Sequence, residues 1–569
     1  MPPIGFSISN QQLTISDQRS AIGNCTSPMT NRTRTDALLL AGFCAFLFFY
    51  GLGQFGLIGA DEPRYAQVAR EMLARRDWVT PVLGGHPWLE KPPLYYWQAM
   101  LAYSVLGVSD VAARIPSAID ATLLMVAVYF FFRKFRRGVE ADAALITASC
   151  AGIVGYARAA SMDMALASTF ALGMLAWWAW RESGKRIYLA LFYLFMALGM
   201  LAKGPVAPFL AAVVIVLFAL AVREIRLVVR TLWLPGIILF CAVALPWYFA
   251  VQMRNPQFFR EFILQHNLAR FSSDLYHHHQ PFWYYLPVTA LALVPWIVFV
   301  IAAVVESVKS WWSERRSNSA DPDLEMQFSV FACCWLVMPV VFFSLSQSKL
   351  PGYILPAIPA GALLLAEYLR RHLARDETIS RGLASGHALV ASAPIVPALL
   401  IVYLVTLHRL PGGRPMFVAL AVALALTAAI AMTLVSRLRL RMLRFITLIP
   451  VVLTVAAVLK LGTVAIDQTL SARPLALEIA AVETHQLPLA VYGVSRELEY
   501  GLAFYRNQPI ERYEPGLAPP EEHLLVAPAA WKMNVARSTI GRRVLFLGNY
   551  APQDMDYYWV AAASAKPRA

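Results

Sequence analysis

Apolar residues fall in long runs separated by short, mostly basic connections. A helix that crosses a hydrocarbon core needs ~20 such residues. Runs of that kind lie at about 37–57, 97–132, 140–160, 163–181, 187–201, 204–222, 231–251, 284–305, 328–346, 351–369, 387–408, 415–435 and 443–463. The stretch 97–132 is too long for one straight helix, and Gly107, Ser109, Asp110 and Arg114 interrupt its middle. It is therefore predicted to be one crossing plus a short helix that does not cross. Basic connections occur at 133–137, 181–186, 223–230, 309–316, 370–381 and 437–444. They share one face of the membrane with the basic amino-terminal arm only if 97–132 crosses once, as the excess of Lys and Arg in cytoplasmic loops requires. The pattern predicts a mainly α, polytopic integral membrane protein of about thirteen spans, with the carboxyl terminus across the membrane from the amino terminus.

Composition agrees. Of the 569 residues 58% are hydrophobic and only 15% charged, against ~25% charged in soluble domains. A soluble enzyme, a disordered chain, a collagen-like fibre and a small disulfide scaffold are excluded. The net charge of +14 reports orientation and a basic surface for anionic lipid or phosphate, with no nucleic-acid partner. Cys44, Cys150, Cys241, Cys333 and Cys334 lie in apolar runs, no Cys-x-x-Cys occurs, and neither a disulfide framework nor a thiolate metal site is supported. Residues 1–36 are polar and read as a disordered cytoplasmic arm or an expression remnant. The transmembrane part is predicted over 37–463, with outer loops at 58–96 and 252–283. The tail 464–569 reads as a small periplasmic α/β domain, with β-like runs at 489–494, 523–527, 543–547 and 557–561 and a helix near 497–505. Nothing in the tail resembles a catalytic motif.

The first outer loop begins Asp61-Glu62-Pro63-Arg64-Tyr65. Tyr65, Val68, Ala69, Met72 and Leu73 recur at helical spacing, which predicts an amphipathic helix on the membrane surface. Two readings of Asp61 compete: a helix N-cap, or a functional carboxylate, since an Asp-Glu pair at a span end is costly unless it has work to do. Asp163, where the fourth long run begins on the same face, carries the same ambiguity. In Trp88-Leu89-Glu90-Lys91-Pro92-Pro93, the prolines exclude regular helix and hold Glu90 and Lys91 in a rigid entry to the next run.

Lys203, Arg270 and Lys349 fall at outer turns, where the distribution of basic residues disfavours them. Either they are snorkelling anchors or they meet a bound phosphate, for which ammonium and guanidinium groups are the usual ligands. On the second reading Lys91, Arg270 and Lys349 are candidates to neutralise a bound phosphate, with Lys203, Arg64 and Tyr353 in support. Three successive histidines, 277–279, stand in the second outer loop. With Glu90, His277 or His278 would suit a structural zinc, while a solvated interfacial run is the competing reading. Polar groups gathered at the outer ends of spans favour an enzyme over a transporter, which would place them near the midplane in broken helices.

The segments 61–65, Arg70-Glu71-Met72-Leu73, Asp77-Trp78 and Glu90-Lys91-Pro92 resemble the polyprenyl-phosphate-sugar-dependent glycosyltransferases of the GT-C type. Segments 199–204, 281–285 and 348–356 are similar, within that group, to the family that transfers aminoarabinose to lipid A. The likeness runs from about 45 to 370 and is weak beyond. It implies an undecaprenyl-phosphate-linked 4-amino-4-deoxy-L-arabinose donor and a lipid A phosphate as acceptor. It also implies the bacterial inner membrane as location, with the site facing the periplasm, and resistance to polymyxin and cationic peptides. His278 is the histidine that matches the family. A protein O-mannosyltransferase or another glycolipid glycosyltransferase of the same type is the alternative. A phosphate acceptor is already anionic, so Asp61 and Asp163 are expected to hold the sugar for a single inverting displacement instead of acting as bases. No cofactor is required by that chemistry.

Overall fold

The computed structural model describes residues 31–262, 280–317, 323–374, 380–391, 440–513 and 518–563. Of the arm expected to be disordered over 1–36, residues 1–30 lie outside the described residues, while 31–36 are the first residues of the helix Asn31–Cys44, which overturns that part of the expectation. Most of the apolar runs 387–408 and 415–435, and Arg270, His277 and His278, also lie outside the described residues. Among the described residues, six helices are long and apolar enough to cross a membrane: Asp110–Phe135, Met162–Ser183, Arg186–Lys203, Leu234–Arg254, Leu324–Ser344 and Pro351–Ala374. Counting two bent pairs as single crossings raises that to eight.

The interrupted stretch breaks into two helices where the sequence places the interruption. Gly107, at φ 75°, ends the short helix Leu94–Leu106. Ser109 then caps Asp110–Phe135 by accepting a hydrogen bond from the Ala112 amide, which satisfies one of the free donors of a helix start.

Two predicted spans are not continuous helices. The run 140–160 breaks at Cys150 into Glu140–Ser149 and Ala151–Ala157. The run 284–305 is Tyr285–Ala292 followed, after a 111° bend, by the helix beginning at Ile297; Pro295, with no amide N–H, stands at that bend. The breaks meet each other. The Ala151 amide donates to Val294 O at 2.9 Å, and the Trp296 indole donates to Ser149 Oγ at 2.8 Å. Irregular backbone at membrane depth survives only where protein supplies the missing hydrogen bonds, and here each break supplies the other.

Among the described spans, Met162–Ser183 and Pro351–Ala374 are the most enclosed, each with 89% of its apolar window buried. Trp177 and Trp178 pack on Phe331 with ring centroids 5.3 and 5.0 Å apart, and Phe170 packs on Trp335 at 5.8 Å. These large rings close-pack Met162–Ser183 against Leu324–Ser344.

The amphipathic helix of the first outer loop is present as Asp61–Arg75, but its apolar face does not lie on a membrane surface. Tyr65, Val68, Ala69 and Met72 are buried in one cluster with Tyr95, Tyr96, Ala99, Met100, Tyr103 and Phe504. Neighbouring protein covers the stripe because the short helix Leu94–Leu106 folds back over it and the tail closes it from above.

The tail forms a five-stranded mixed sheet. After the small hairpin β1 (Val82–Leu83) and β2 (His86–Pro87), the strands are β3 (Leu489–Val491), β4 (Ile510–Arg512), β5 (His523–Pro528), β6 (Val544–Tyr550) and β7 (Met555–Val560), in the order β4-β3-β5-β7-β6. β3 runs parallel to β4 and β5, and β7 runs antiparallel to β5 and β6. The helix Arg496–Arg506 is the crossover from β3 to β4, started by Ser495 at its N-cap. Leu502 and Leu498 of that helix pack with Leu489, Val491, Leu524 and Val526 of the sheet. β4 was not foreseen; it is short and its outward residues are charged, so it carries no alternating apolar signal.

Hydrogen bonds fasten the tail to the bundle. Tyr505 OH accepts from the Leu57 amide at 2.6 Å and donates to Asp110 at 2.8 Å. Arg473 bridges Asp110 and Asp467 at 3.0 and 2.7 Å. Side chains of the tail press on the backbone at Gly56, where a Cβ would stand 2.3 Å from Ser471 Oγ and 2.4 Å from Tyr505 OH. A glycine is required there for lack of room.

Candidate active site

Glu62, the neighbour of Asp61, turns inward into a buried network of hydrogen bonds. Its carboxylate accepts from the Ile58 and Ala160 amides at 2.8 and 2.7 Å. It also takes a two-pronged contact from Arg114, at 3.1 and 2.6 Å. The remaining donors of Arg114 go to the carbonyls of Leu52, Phe55 and Gly56 at 2.7 to 2.9 Å. Both side chains are nearly sealed from solvent, at 8% and 1% exposure. A buried pair of this kind holds only because every lone pair and proton is answered. It ties the start of the Asp61 helix to the segment leading into Asp163, and so sets the two aspartates in one place.

Asp61 occupies the first turn of its helix, and the cap position belongs to Ala60. The carboxylate is half-exposed and pairs with Arg64 one turn on. Arg64 lies against the rings of Tyr65, Trp88 and Tyr500 at 5.1, 5.3 and 5.6 Å. Burial opposes the Arg64 charge, but Tyr65, Asp61 and Glu90 around it more than offset that and raise its pKa.

Asp163 stands in the first turn of Met162–Ser183. Its Oδ2 accepts from Ser161 Oγ at 2.9 Å, and its amide donates back to that hydroxyl at 3.1 Å. Its Oδ1 pairs with Lys203, the last residue of Arg186–Lys203. The Lys203 ammonium also sits 4.5 Å from the centre of the Tyr353 ring. Gly352 lets the chain pass close by: a Cβ there would be 2.7 Å from both the Asp163 carboxyl carbon and Tyr156 OH.

These groups surround a cavity of about 890 Å³ lined by Asp61, Arg64, Trp88, Glu90, Tyr156, Arg158, Asp163 and Gly352 among others. Thr454, Val455, Val458, Leu459 and Ile466 form an apolar wall, and Arg496, Glu497, Tyr500 and Arg512 of the tail close the opposite part. Charged groups beside a hydrocarbon-like wall suit a substrate that is part headgroup and part lipid chain.

Of the residues singled out in the sequence, Asp61, Asp163, Arg64 and Glu90 line this cavity, and Lys203 and Tyr353 stand directly behind Asp163. Lys91 is half-buried next to Glu90 and is not a lining residue. Lys349 is buried beneath the Leu350–Gly352 edge, where its ammonium donates to Ser346 O at 2.5 Å; burial lowers its pKa. Arg270, His277 and His278 lie outside the described residues. Among the described residues no group of three His, Cys, Asp or Glu side chains is arranged to hold a metal.

Arg158, Tyr156 and the tail residues were missed. Arg158 was absorbed into the apolar run 140–160, although an Arg near the outer end of such a run is itself a signal. The tail residues gave no signal, because exposed Arg and Tyr on a surface helix are ordinary until a second surface faces them.

A family model described as dolichyl-phosphate-mannose-protein mannosyltransferase matches residues 36–260. Two relatives bear the name undecaprenyl phosphate-α-4-amino-4-deoxy-L-arabinose arabinosyl transferase. That of Pseudomonas savastanoi pv. phaseolicola is 31% identical over 399 residues, covering 69% of this chain and 72% of the relative. That of Pseudomonas aeruginosa is 32% identical over 377 residues, covering 64% of this chain and 66% of the relative. Among solved structures, ArnT from Cupriavidus metallidurans bound to undecaprenyl phosphate superposes with a TM-score of 0.71, covering 94% of this chain and 99% of that one at 20% identity. Its apo form superposes equally well, with 22% identity. At that identity the superposition establishes the fold.

Proposed function

Because the chain belongs to the undecaprenyl phosphate-α-4-amino-4-deoxy-L-arabinose arabinosyl transferase family, multi-pass membrane glycosyltransferases that draw on a lipid-linked sugar, we propose that it moves 4-amino-4-deoxy-L-arabinose from undecaprenyl phosphate to a phosphate of lipid A. The reaction takes place at the periplasmic face of the bacterial inner membrane. Capping that phosphate with a cationic sugar lowers the negative surface charge that polymyxin and cationic peptides seek.

The observation that carries this reading is one cavity that joins Asp61 and Asp163 to cationic and aromatic groups on one side and an apolar wall on another. In the proposed step, an oxygen of the acceptor phosphate bonds to the anomeric carbon. The bond from that carbon to the donor phosphate breaks, and its electron pair leaves with undecaprenyl phosphate. No proton has to move, since both phosphates are anionic at neutral pH, and the configuration inverts. Asp61 and Asp163 hold the sugar, their charge matched to its ammonium group, and align the carbon for attack. Lys91, Arg270 and Lys349 stabilise charge on the departing phosphate, with Lys203, Arg64 and Tyr353 beside them. For that role Lys349 exchanges its hydrogen bond to Ser346 O for a phosphate oxygen.

The displacement calls for no cofactor. Zinc between Glu90 and His277 or His278 would tie the loops 58–96 and 252–283 together. Metal analysis of protein purified without a His-tag or added zinc is expected to find it, and metal-free protein would end that idea.

The reading also takes the chain to cross about thirteen times, as 37–463, with 1–36 in the cytoplasm and 464–569 in the periplasm. A cysteine placed at the exposed Ala480 is then labelled by an impermeant reagent in intact cells. Labelling only after permeabilisation would overturn the topology.

The decisive assay uses pure protein in detergent with the labelled donor. Transfer to lipid A with inversion supports the proposal. The match to a mannosyltransferase family over 36–260 keeps a protein acceptor as the alternative, which transfer to peptide in place of lipid A would favour.

A further inference from the structure

The charges around the cavity are unequally answered. Asp61 has Arg64, Asp163 has Lys203 and Glu62 has Arg114. Arg158, in the turn between Ala151–Ala157 and Met162–Ser183, lines the same cavity and has no carboxylate partner among the described residues. One of its guanidinium nitrogens donates to Leu47 O at 3.0 Å, while another is buried without an acceptor. The protein therefore meets only part of the hydrogen-bonding demand of this group. A half-buried cation without a counter-ion is unfavourable, and an arriving anion relieves the cost.

Position narrows the anion. Val154 on the helix before Arg158, with Val455, Val458 and Leu459, presents apolar surface in the same cavity. A small soluble anion has no use for that wall, whereas a phosphate carried on a hydrocarbon-bearing lipid uses both. A guanidinium is also the group best matched to phosphate, through paired N–H donors.

In-line displacement needs two phosphate sites, one on each side of the anomeric carbon. The cations proposed for the donor come from the segments at 91, 270 and 349, and Arg158 belongs to none of these. We propose that Arg158 receives the attacking phosphate of the acceptor lipid. The assignment rests on the transfer reaction proposed above and deepens it by naming the acceptor's anchor.

The test uses the full chain in detergent, with undecaprenyl-phosphate aminoarabinose and diphosphoryl lipid A, in wild type, Arg158→Gln and Arg158→Lys. Arg158→Gln is expected to raise the KM for lipid A roughly tenfold or more, to leave the donor KM within about twofold, and to be partly rescued by Arg158→Lys. A raised donor KM would move Arg158 to the leaving phosphate and overturn the assignment. Unchanged KM values with a lowered melting temperature would make Arg158 a structural tie to Leu47. If Arg158→Gln does not fold, Arg158→Lys decides: it keeps charge and a donor for Leu47 but not the paired geometry, and an unaltered lipid A KM rejects the proposal. Binding of lipid A without donor separates this idea from the transfer reading. Wild type that binds lipid A more tightly than Arg158→Gln but transfers nothing to it would refute the reaction and keep the subsite. Equal binding would refute the subsite whatever the activity.

Discussion

The helix bundle carries dense charge at both ends, and the two ends use it differently. At the end reached by the carboxyl terminus of Asp110–Phe135, Arg136 pairs with Glu182 at 2.8 Å and approaches Glu367 at 3.8 Å. Arg370 takes both Glu367 and Glu325, at 2.8 and 2.6 Å, and Arg181 takes Glu224 at 2.7 Å. Glu367 is fully buried in this network. At the other end, the Glu62–Arg114 pair is equally closed, but around it Asp61, Asp163, Arg64 and Arg158 face open space. Charge density does not mark a site. What marks it is charge that borders a cavity, because only there can a ligand reach it.

That contrast can be broken by experiment. The largest effect is expected at the open end: Asp61→Asn or Asp163→Asn keeps shape but removes charge that we propose faces the sugar. Loss of one charge-assisted contact in a shielded site corresponds to ~30- to 1000-fold in rate. Melting temperature should barely move for the half-exposed Asp61 and fall for Asp163, whose loss of charge leaves Lys203 unpaired, and neither pH profile should acquire the signature of a lost base. Normal turnover by both variants, or a product that keeps the donor's anomeric configuration, would refute the assignment.

Glu62→Gln, one residue away, should act on the fold first. It leaves Arg114 buried beside a neutral amide, and breaking such a pair costs ~3–5 kcal/mol. Thermal unfolding in detergent should show the loss, with activity falling because Asp61 and Asp163 are no longer held together. A variant as stable as wild type but inactive would place Glu62 in the chemistry. The smallest effect is expected at the closed end. Glu367→Gln leaves Arg136 and Arg370 with Glu182 and Glu325, so ~1–3 kcal/mol of stability is lost while turnover per folded molecule is unchanged. Altered kcat there would show that the two ends are coupled.

Much of the site was legible in the sequence, and the reasons differ by residue. Asp61 and Asp163 stood out because a carboxylate at a span end needs an explanation, and Lys203 because a cation on the outer face does. Glu62 was read with Asp61 as one acidic pair, although the structure buries Glu62 against Arg114 and leaves Asp61 half-exposed beside Arg64. Lys349 was grouped with the open cations, but its ammonium is enclosed by its own loop. The membrane-surface reading of Asp61–Arg75 failed because an apolar stripe does not say what covers it. Protein and lipid satisfy the same pattern.

Run length, Gly107, Ser109 and the prolines by themselves determined where most helices begin and end, since helix hydrogen bonds and caps are satisfied within a few residues. The motif residues likewise determined the family. Tertiary structure alone decided which breaks could be tolerated, with Cys150 and the 293–296 bend supplying each other's hydrogen bonds. It also decided that Arg158 and the tail's Arg496, Tyr500 and Arg512 border the same space as Asp61. Whether a charged side chain is a tie or a tool depends on what approaches it from hundreds of residues away, and no local pattern in the chain records that distance.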